Sequence, residues 1–236
     1  MPHRVERFRA TSRQQPARGR YAGAVSSIPI VEVAVPEGAA TRQTVELALA
    51  GDGSPIRFAG WDLAEADLKG LDLRECEFVR CRGRRADFSG CDLTEARFLS
   101  CDLNNTTWRR TGLSSVMFQD CKLTGARITD ARTLGLVFER CLLINAQLHG
   151  LSFRRTSLDR IDFQEADLTG ADFREAVLVG CSLRDAHVAD ARFEGADLRG
   201  ADLGNLMLAG ASRFKGAIIS KRQAGALLSG LGLRVV

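Results

Sequence analysis

Every fifth residue through the middle of this chain is apolar. Between Phe58 and Ile218, thirty of the thirty-three positions at that spacing are hydrophobic, the exceptions being Gly83, Thr133 and Arg213. Two residues before each of these centres, from Ile56 to Gly216, no side chain is charged. Fourteen of those positions are Ala and seven are Cys, so every cysteine of the chain shares one phase. Ten of the twelve Phe occupy the centre itself. Asp stands just before the centre in eleven repeats (Asp62, Asp87 and Asp167 among them), and Gly stands two places after it in eleven, as at Gly70 and Gly170.

A period of five matches neither the 3.6 of a helix nor the 2.0 of a strand. It suits a chain that takes a short extended step, turns a corner and returns to its start after four steps. Each step then points a large and a small side chain inward and leaves three residues in water. Asp beside the corner can accept backbone N–H groups, and Gly after it tolerates a positive φ. Coils stacked at strand spacing bond backbone to backbone. Reading every twentieth residue tests the four-sided arrangement. One column runs Phe58, Phe78, Phe98, Phe118, Phe138 and continues as Leu158, Leu178, Leu198 and Ile218; another ends in Phe153, Phe173, Phe193. The small column beside the first contains Cys81, Cys101, Cys121 and Cys141. Rings stacked at coil spacing explain the choice of Phe.

The pattern resembles the pentapeptide-repeat family, with A-D-L-x-G clearest at 166–173 and 196–203. The resemblance covers 56–220 and implies an all-β fold, a right-handed quadrilateral β-helix of about eight coils. At strand spacing that is a rod about 40 Å long. The seven cysteines lack CxxC spacing and are odd in number, which argues against a disulfide framework or zinc site and for a reducing, cytoplasmic compartment.

The flanks divide the chain further. Residues 1–26, with six Arg, read as a flexible basic tail; a nucleic-acid arm or a targeting segment is the alternative. Residues 27–55 read as N-terminal strands: 28–35 and 43–50 alternate apolar and polar, predicting a hairpin that caps the open first coil. Residues 221–236 form the C-terminal helix and tail. Ser220 is the expected N-cap and Gly230 the stop, with Ala224, Leu227, Leu228 and Leu231 at i, i+3, i+4, i+7. Such a face must bury itself on the last coil, on a second copy of the chain, or on both.

A terminal helix with paired leucines followed by L-G-[IL]-x-V resembles the quinolone-resistance (Qnr-type) and mycobacterial subgroup of the family. The matching residues are Leu227, Leu228, Leu231, Gly232, Leu233 and Val235. The resemblance implies a tail-to-tail homodimer, with Leu227, Leu228, Leu231, Leu233 and Val235 at the dimer contact. It further implies binding to DNA gyrase or topoisomerase IV, protection from quinolones or peptide toxins, and competition with DNA by mimicry. Phase continuity from 56 to 220 leaves no projecting loops, as in the mycobacterial type.

Nothing in the chain reads as an enzyme. There is no phosphate-cradling glycine loop and no nucleophile elbow, and His3, His149 and His187 are scattered; no cofactor or metal is implied. No apolar run approaches the ~20 residues that span a bilayer. Net charge is +4, unevenly spread: residues 109–160 carry nine basic and four acidic side chains, residues 161–202 four and ten. Asp162, Glu165, Asp185 and Asp202 fall on one face with Arg184 and form the candidate acidic partner surface, to be weighed against an ordinary solvated face. The Arg80–Arg85 and Arg109–Arg110 clusters fall on different faces without interleaved aromatics, which does not favour direct nucleic-acid binding. Val79, Leu99, Met117, Val137, Val177 and Val179 point outward on one face, so either the N-terminal strands or a partner should cover them.

Overall fold

A computed structural model describes residues 30–51, 53–204, 211–230 and 232–234. The chain forms a parallel β-solenoid whose strands make one nine-stranded sheet in sequence order: β1 (Val31–Val33), β2 (Ile56–Ala59), β3 (Glu77–Val79), β4 (Arg97–Leu99), β5 (Met117–Gln119), β6 (Val137–Glu139), β7 (Ser157–Asp159), β8 (Val177–Ser182) and β9 (Asp197–Asp202). Seven successive pairings carry the sheet from β2 to β9, so about seven full turns lie between Phe58 and Leu198. This sheet is the first face. Single bridges between residues twenty apart, such as Asp62–Arg82, Asp67–Asp87 and Asp72–Asp92, stack the second, third and fourth faces. The first coil assigns 56–60, 61–65, 66–70 and 71–75 to the four faces in turn.

The residue pattern fixes each corner. Asp62, Asp87, Asp92, Asp162 and Asp167 each accept the N–H two residues on through Oδ1, at 2.9–3.1 Å. Among the described residues, every non-glycine residue with positive φ, Glu65, Arg85, Ser100 and Asp120 included, sits two places after a centre, where the consensus has Gly. The coil-to-coil ladder holds these residues in a conformation that L side chains otherwise avoid.

Inside, rings stack along the rod and interlock across it. Phe58, Phe78, Phe98, Phe118 and Phe138 follow one another at 4.5–5.3 Å between ring centres. From the opposite, third face, Trp108 stacks on Phe88 and meets Phe98 and Phe118 edge-on. Further along the ladder moves to the fourth face, where Phe153, Phe173 and Phe193 stack at 4.8 and 4.9 Å, with Phe163 opposite. Cys81, Cys101, Cys121 and Cys141 are buried and unbridged. Each thiol donates to the carbonyl of a ring residue in the preceding coil: Phe58, Phe78, Phe98 and Phe118, at 3.1–3.3 Å. Gly83 breaks the apolar phase because Leu103 of the next coil fills its space; a Cβ there would lie 2.9 Å from the leucine Cδ2.

Three expectations need correction. First, 43–50 is not a strand: α1 spans Arg42–Leu49, and β1 lies parallel to β2, so there is no hairpin. Thr41 and Thr44 form a reciprocal capping box that starts the helix. Val45, Leu47 and Leu49 imitate strand alternation, yet Val45 is sealed against the first coil while Leu47 is 69% exposed. Second, β1 extends the first face at its edge instead of lying over it, so Val177 and Val179 stay exposed. Third, the fivefold phase does not run to 220. Beyond β9 it slips by one: Phe214, not Arg213, stacks on Phe193, and Ile218 pairs with Asp197 at an outward position. Residues 1–29 lie outside the described residues, and the basic-tail expectation with them.

Candidate functional site

The C-terminal end is built by one short helix, α2 (Lys221–Gly230). Ser220 caps it as expected: its Oγ accepts the Gln223 N–H at 3.2 Å, and Gln223 Oε1 accepts the Ser220 N–H at 2.7 Å. The Gln223 side-chain amide then donates to the Leu198 and Ala201 carbonyls at 2.7 and 2.8 Å. It thereby satisfies acceptors of the last coil that no further coil would meet. Leu227 is buried, so it seals the core of its own chain and does not face a partner. Leu228 points outward.

The helix includes Gly230 as its last residue, and the glycine that turns the chain is Gly232. Gly232, at φ +79°, donates to Ser229 O, and Leu233 donates to Leu228 O at 3.0 Å. These are the paired bonds of a Schellman motif, which brings the residue after the glycine onto the last turn. Leu233 (56% exposed) and Leu228 (39%) are the two positions so joined. Ile218 and Ile219 are exposed at the same end of the rod, Ile218 because of the phase slip. Leu231 and Val235 lie outside the described residues.

Asp162, Glu165, Asp185 and Asp202 do share the second face. Glu165 donates its N–H to Arg184 O at 3.0 Å, stacking its corner on that of Asp185. Arg184 reaches Asp202 at 2.8 Å, and that guanidinium, with the Gly204 N–H, holds the Asp202 carboxyl below its ordinary range. Asp162 accepts the Gln164 N–H and Glu165 the Gln164 side-chain amide.

Across 161–202, however, part of the charge surplus is offset in space. Asp167 meets His149, Glu175 meets Arg154 and Arg155, and Asp190 meets Arg213, in each case across coils. Asp172 and Asp197 pair with the arginine two residues on, and Glu194 with the arginine two residues before it. Arg140 does the same on the first face, where it bonds Asp120 twice and lies between the facing carboxylates Glu139 and Asp159. Three of the four arginines of the first cluster are likewise occupied, Arg82 on Asp62, Arg84 on Asp102 and Arg85 on Glu65.

Among the described residues no three His, Cys, Asp or Glu are grouped to hold a metal, and no helix is long and apolar enough to cross a membrane. A cleft of about 430 Å³ lies between α1 and the first coil, lined by Glu46, Leu49, Asp72, Arg74 and Glu75 among others.

Comparison with known proteins agrees with this geometry. A family profile described as "Pentapeptide repeat region" matches residues 56–128, and one described as "Pentapeptide repeats (8 copies)" matches 121–160, 141–185 and 176–212. No curated protein matches the chain in sequence. Among solved structures, a trypsin-treated point variant of QnrB1, a plasmid-mediated fluoroquinolone resistance protein, is 20% identical over 88% of this chain and 97% of that one, with a TM-score of 0.57. A second such variant is 24% identical over 77% and 87%, also at 0.57. HetL from the cyanobacterium Nostoc is 25% identical over 69% and 84%, at 0.42.

Proposed function

This chain belongs to the pentapeptide-repeat family, and from that premise we propose that it is a non-enzymatic binding rod, a homodimer joined at its C-terminal ends. Its partner on this reading is a type II DNA topoisomerase such as gyrase, which it protects from quinolones or peptide toxins by competing for the DNA site. The observation that carries the binding role is the exposure of the Leu228–Leu233 pair and of Ile218 and Ile219 in the C-terminal segment. Side chains fill the rod's interior, so contact surfaces remain its means of action. The topoisomerase itself comes from the likeness of the C-terminal helix and L-G-[IL]-x-V tail to the quinolone-resistance subgroup.

A second reading, an interaction scaffold for an unrelated protein, is favoured by the pairing of Asp172, Glu175, Asp190, Glu194, Asp197 and Asp202 with arginines. A DNA-like surface needs uncompensated negative charge along a groove. Gyrase supercoiling with and without a fluoroquinolone separates the two readings. Purified protein should restore supercoiling at roughly stoichiometric amounts. An assay unchanged at every ratio of protein to enzyme would leave the scaffold reading.

A further inference from the structure

The solenoid inverts its own rule in one place. At the fourth face of the coil that begins at Val116, the centre is the polar Thr133, and the leucine beside it, Leu134, stands 83% exposed. The small positions on either side, Ala131 and Leu136, are only half-buried, whereas Ala126 and Cys141 in the same phase are sealed. The backbone is looser there too. At the corner between the third and fourth faces, Cys91, Leu151, Ala171 and Ala191 each close a turn onto the residue three before them. Among the described residues, Thr111 and Ala131 at the same corner make no such bond.

Arginines surround this spot. Arg110 sits at the open corner, Arg127 on the third face next to it, and Arg132 on the fourth face beside Leu134. Elsewhere most guanidinium groups on the rod lie against a carboxylate. Among the described residues, Arg110, Arg127 and Arg132 form no ion pair, and all three are exposed. Two carboxylates lie close by: Asp130, 3.9 Å from Arg109, and Asp92, across Gly112 from the Arg132 guanidinium. Ser114, Ser115 and Gly135 keep the neighbouring surface low, so Leu134 projects above it.

We infer that this patch docks an acidic protein segment carrying an apolar residue, its carboxylates on Arg110, Arg127 and Arg132 and its apolar side chain on Leu134. Leu134 is the most exposed large apolar side chain among the described residues, the polar centre beside it adds nothing to the core, and such breaks mark functional positions. Guanidinium forks without internal partners match carboxylates in bidentate geometry. A peptide fits better than a nucleic acid, because the patch presents a leucine and no exposed aromatic ring on which a base could stack. This surface is separate from the C-terminal end, and its occupation does not depend on the topoisomerase reading.

Fluorescence anisotropy of the full chain at low salt tests it, with labelled twelve-residue peptides that are half Asp or Glu, contain one leucine walked through every position, and are otherwise Ser. At least one register should bind more tightly than the leucine-free acidic peptide. Arg110→Glu with Arg132→Glu should weaken that binding about ten-fold or more. Leu134→Ser should reduce the best peptide to the level of the leucine-free one, and Arg82→Glu with Arg84→Glu should change neither. All these side chains are exposed, and a thermal melt checks that each variant folds. Equal binding of leucine-containing and leucine-free peptides, or no binding at all, overturns the inference. So does a 20-base-pair DNA duplex that binds more tightly than any peptide and is lost with the same arginines.

Discussion

Phe193 and Phe214 stack face to face, 4.9 Å between ring centres and 3° from parallel, although they stand twenty-one positions apart where every other rung of the ladders is twenty. The extra residue keeps the aromatic ladder continuous to the end of the rod and turns Ile218 outward.

Phe214→Ala should therefore cost about 2 kcal/mol, since a half-buried ring loses part of what a buried one would. Arg213→Ala removes an exposed ion pair to Asp190 and should cost at most about 1 kcal/mol. Urea denaturation of the two variants checks this; a larger loss at Arg213 would restore the unbroken phase.

Gln223 closes the last coil, so Gln223→Ala should destabilise by about 1–3 kcal/mol by leaving the Leu198 and Ala201 carbonyls unpaired. Gln223→Glu should be worse, because a carboxylate would face two carbonyl oxygens. Hydrogen exchange should accelerate first at the Ile218 amide, which bonds Ala196 O. Unaltered exchange there would contradict the role.

Leu227 and Leu228 adjoin in sequence but should part in effect. Leu228→Asp should halve the mass seen by light scattering and leave the fold intact. Leu227→Ala should instead cost about 2–3 kcal/mol, as a buried leucine does, and keep the dimer. A dimer that survives Leu228→Asp would refute the proposed contact.

Six of the seven buried thiols predict sensitivity to alkali; Cys81, held low by the Cys101 thiol, opposes them. Burial pushes Cys76, Cys91 and Cys181 up to about 11, from an ordinary value of 9.0. Cys121 rises to about 12, first through the Cys101 thiol beside it and then through burial. Between 9 and 11 the folded chain holds protons that the unfolded chain has released. Stability is thus fully present below pH 9 and declines as pH climbs through 11, with each thiol adding about 1.4 kcal/mol per pH unit. Urea midpoints from pH 8 to 11 should fall, and fall less steeply once Cys76, Cys91 and Cys181 are replaced by Ala, which the same phase already uses fourteen times. A flat profile would speak against thiol linkage.

Much of this was legible in advance. The inward columns, the Asp corners and the shared face of Asp162, Glu165, Asp185 and Asp202 follow from counting by five, and the Ser220 cap from the helical spacing after it. Val45, Leu47 and Leu49 misled, because alternation over eight residues fits a strand as well as a helix whose capping box decides the matter. Arg110, Arg127 and Arg132 fall in three different repeats, and no count of local charge marks them as unpaired.

The repeat alone determined which residues are inside, because each five-residue step sets its own inward direction without reference to distant parts of the chain. Tertiary structure decided what the period cannot encode: that Glu175 is neutralised by Arg154 and Arg155 one coil away, that Leu227 faces in while Leu228 faces out, and that the phase slips before Phe214. Those outcomes depend on groups some twenty residues apart meeting across stacked coils, where Coulomb attraction and the closing of the core's open end act on distance in space.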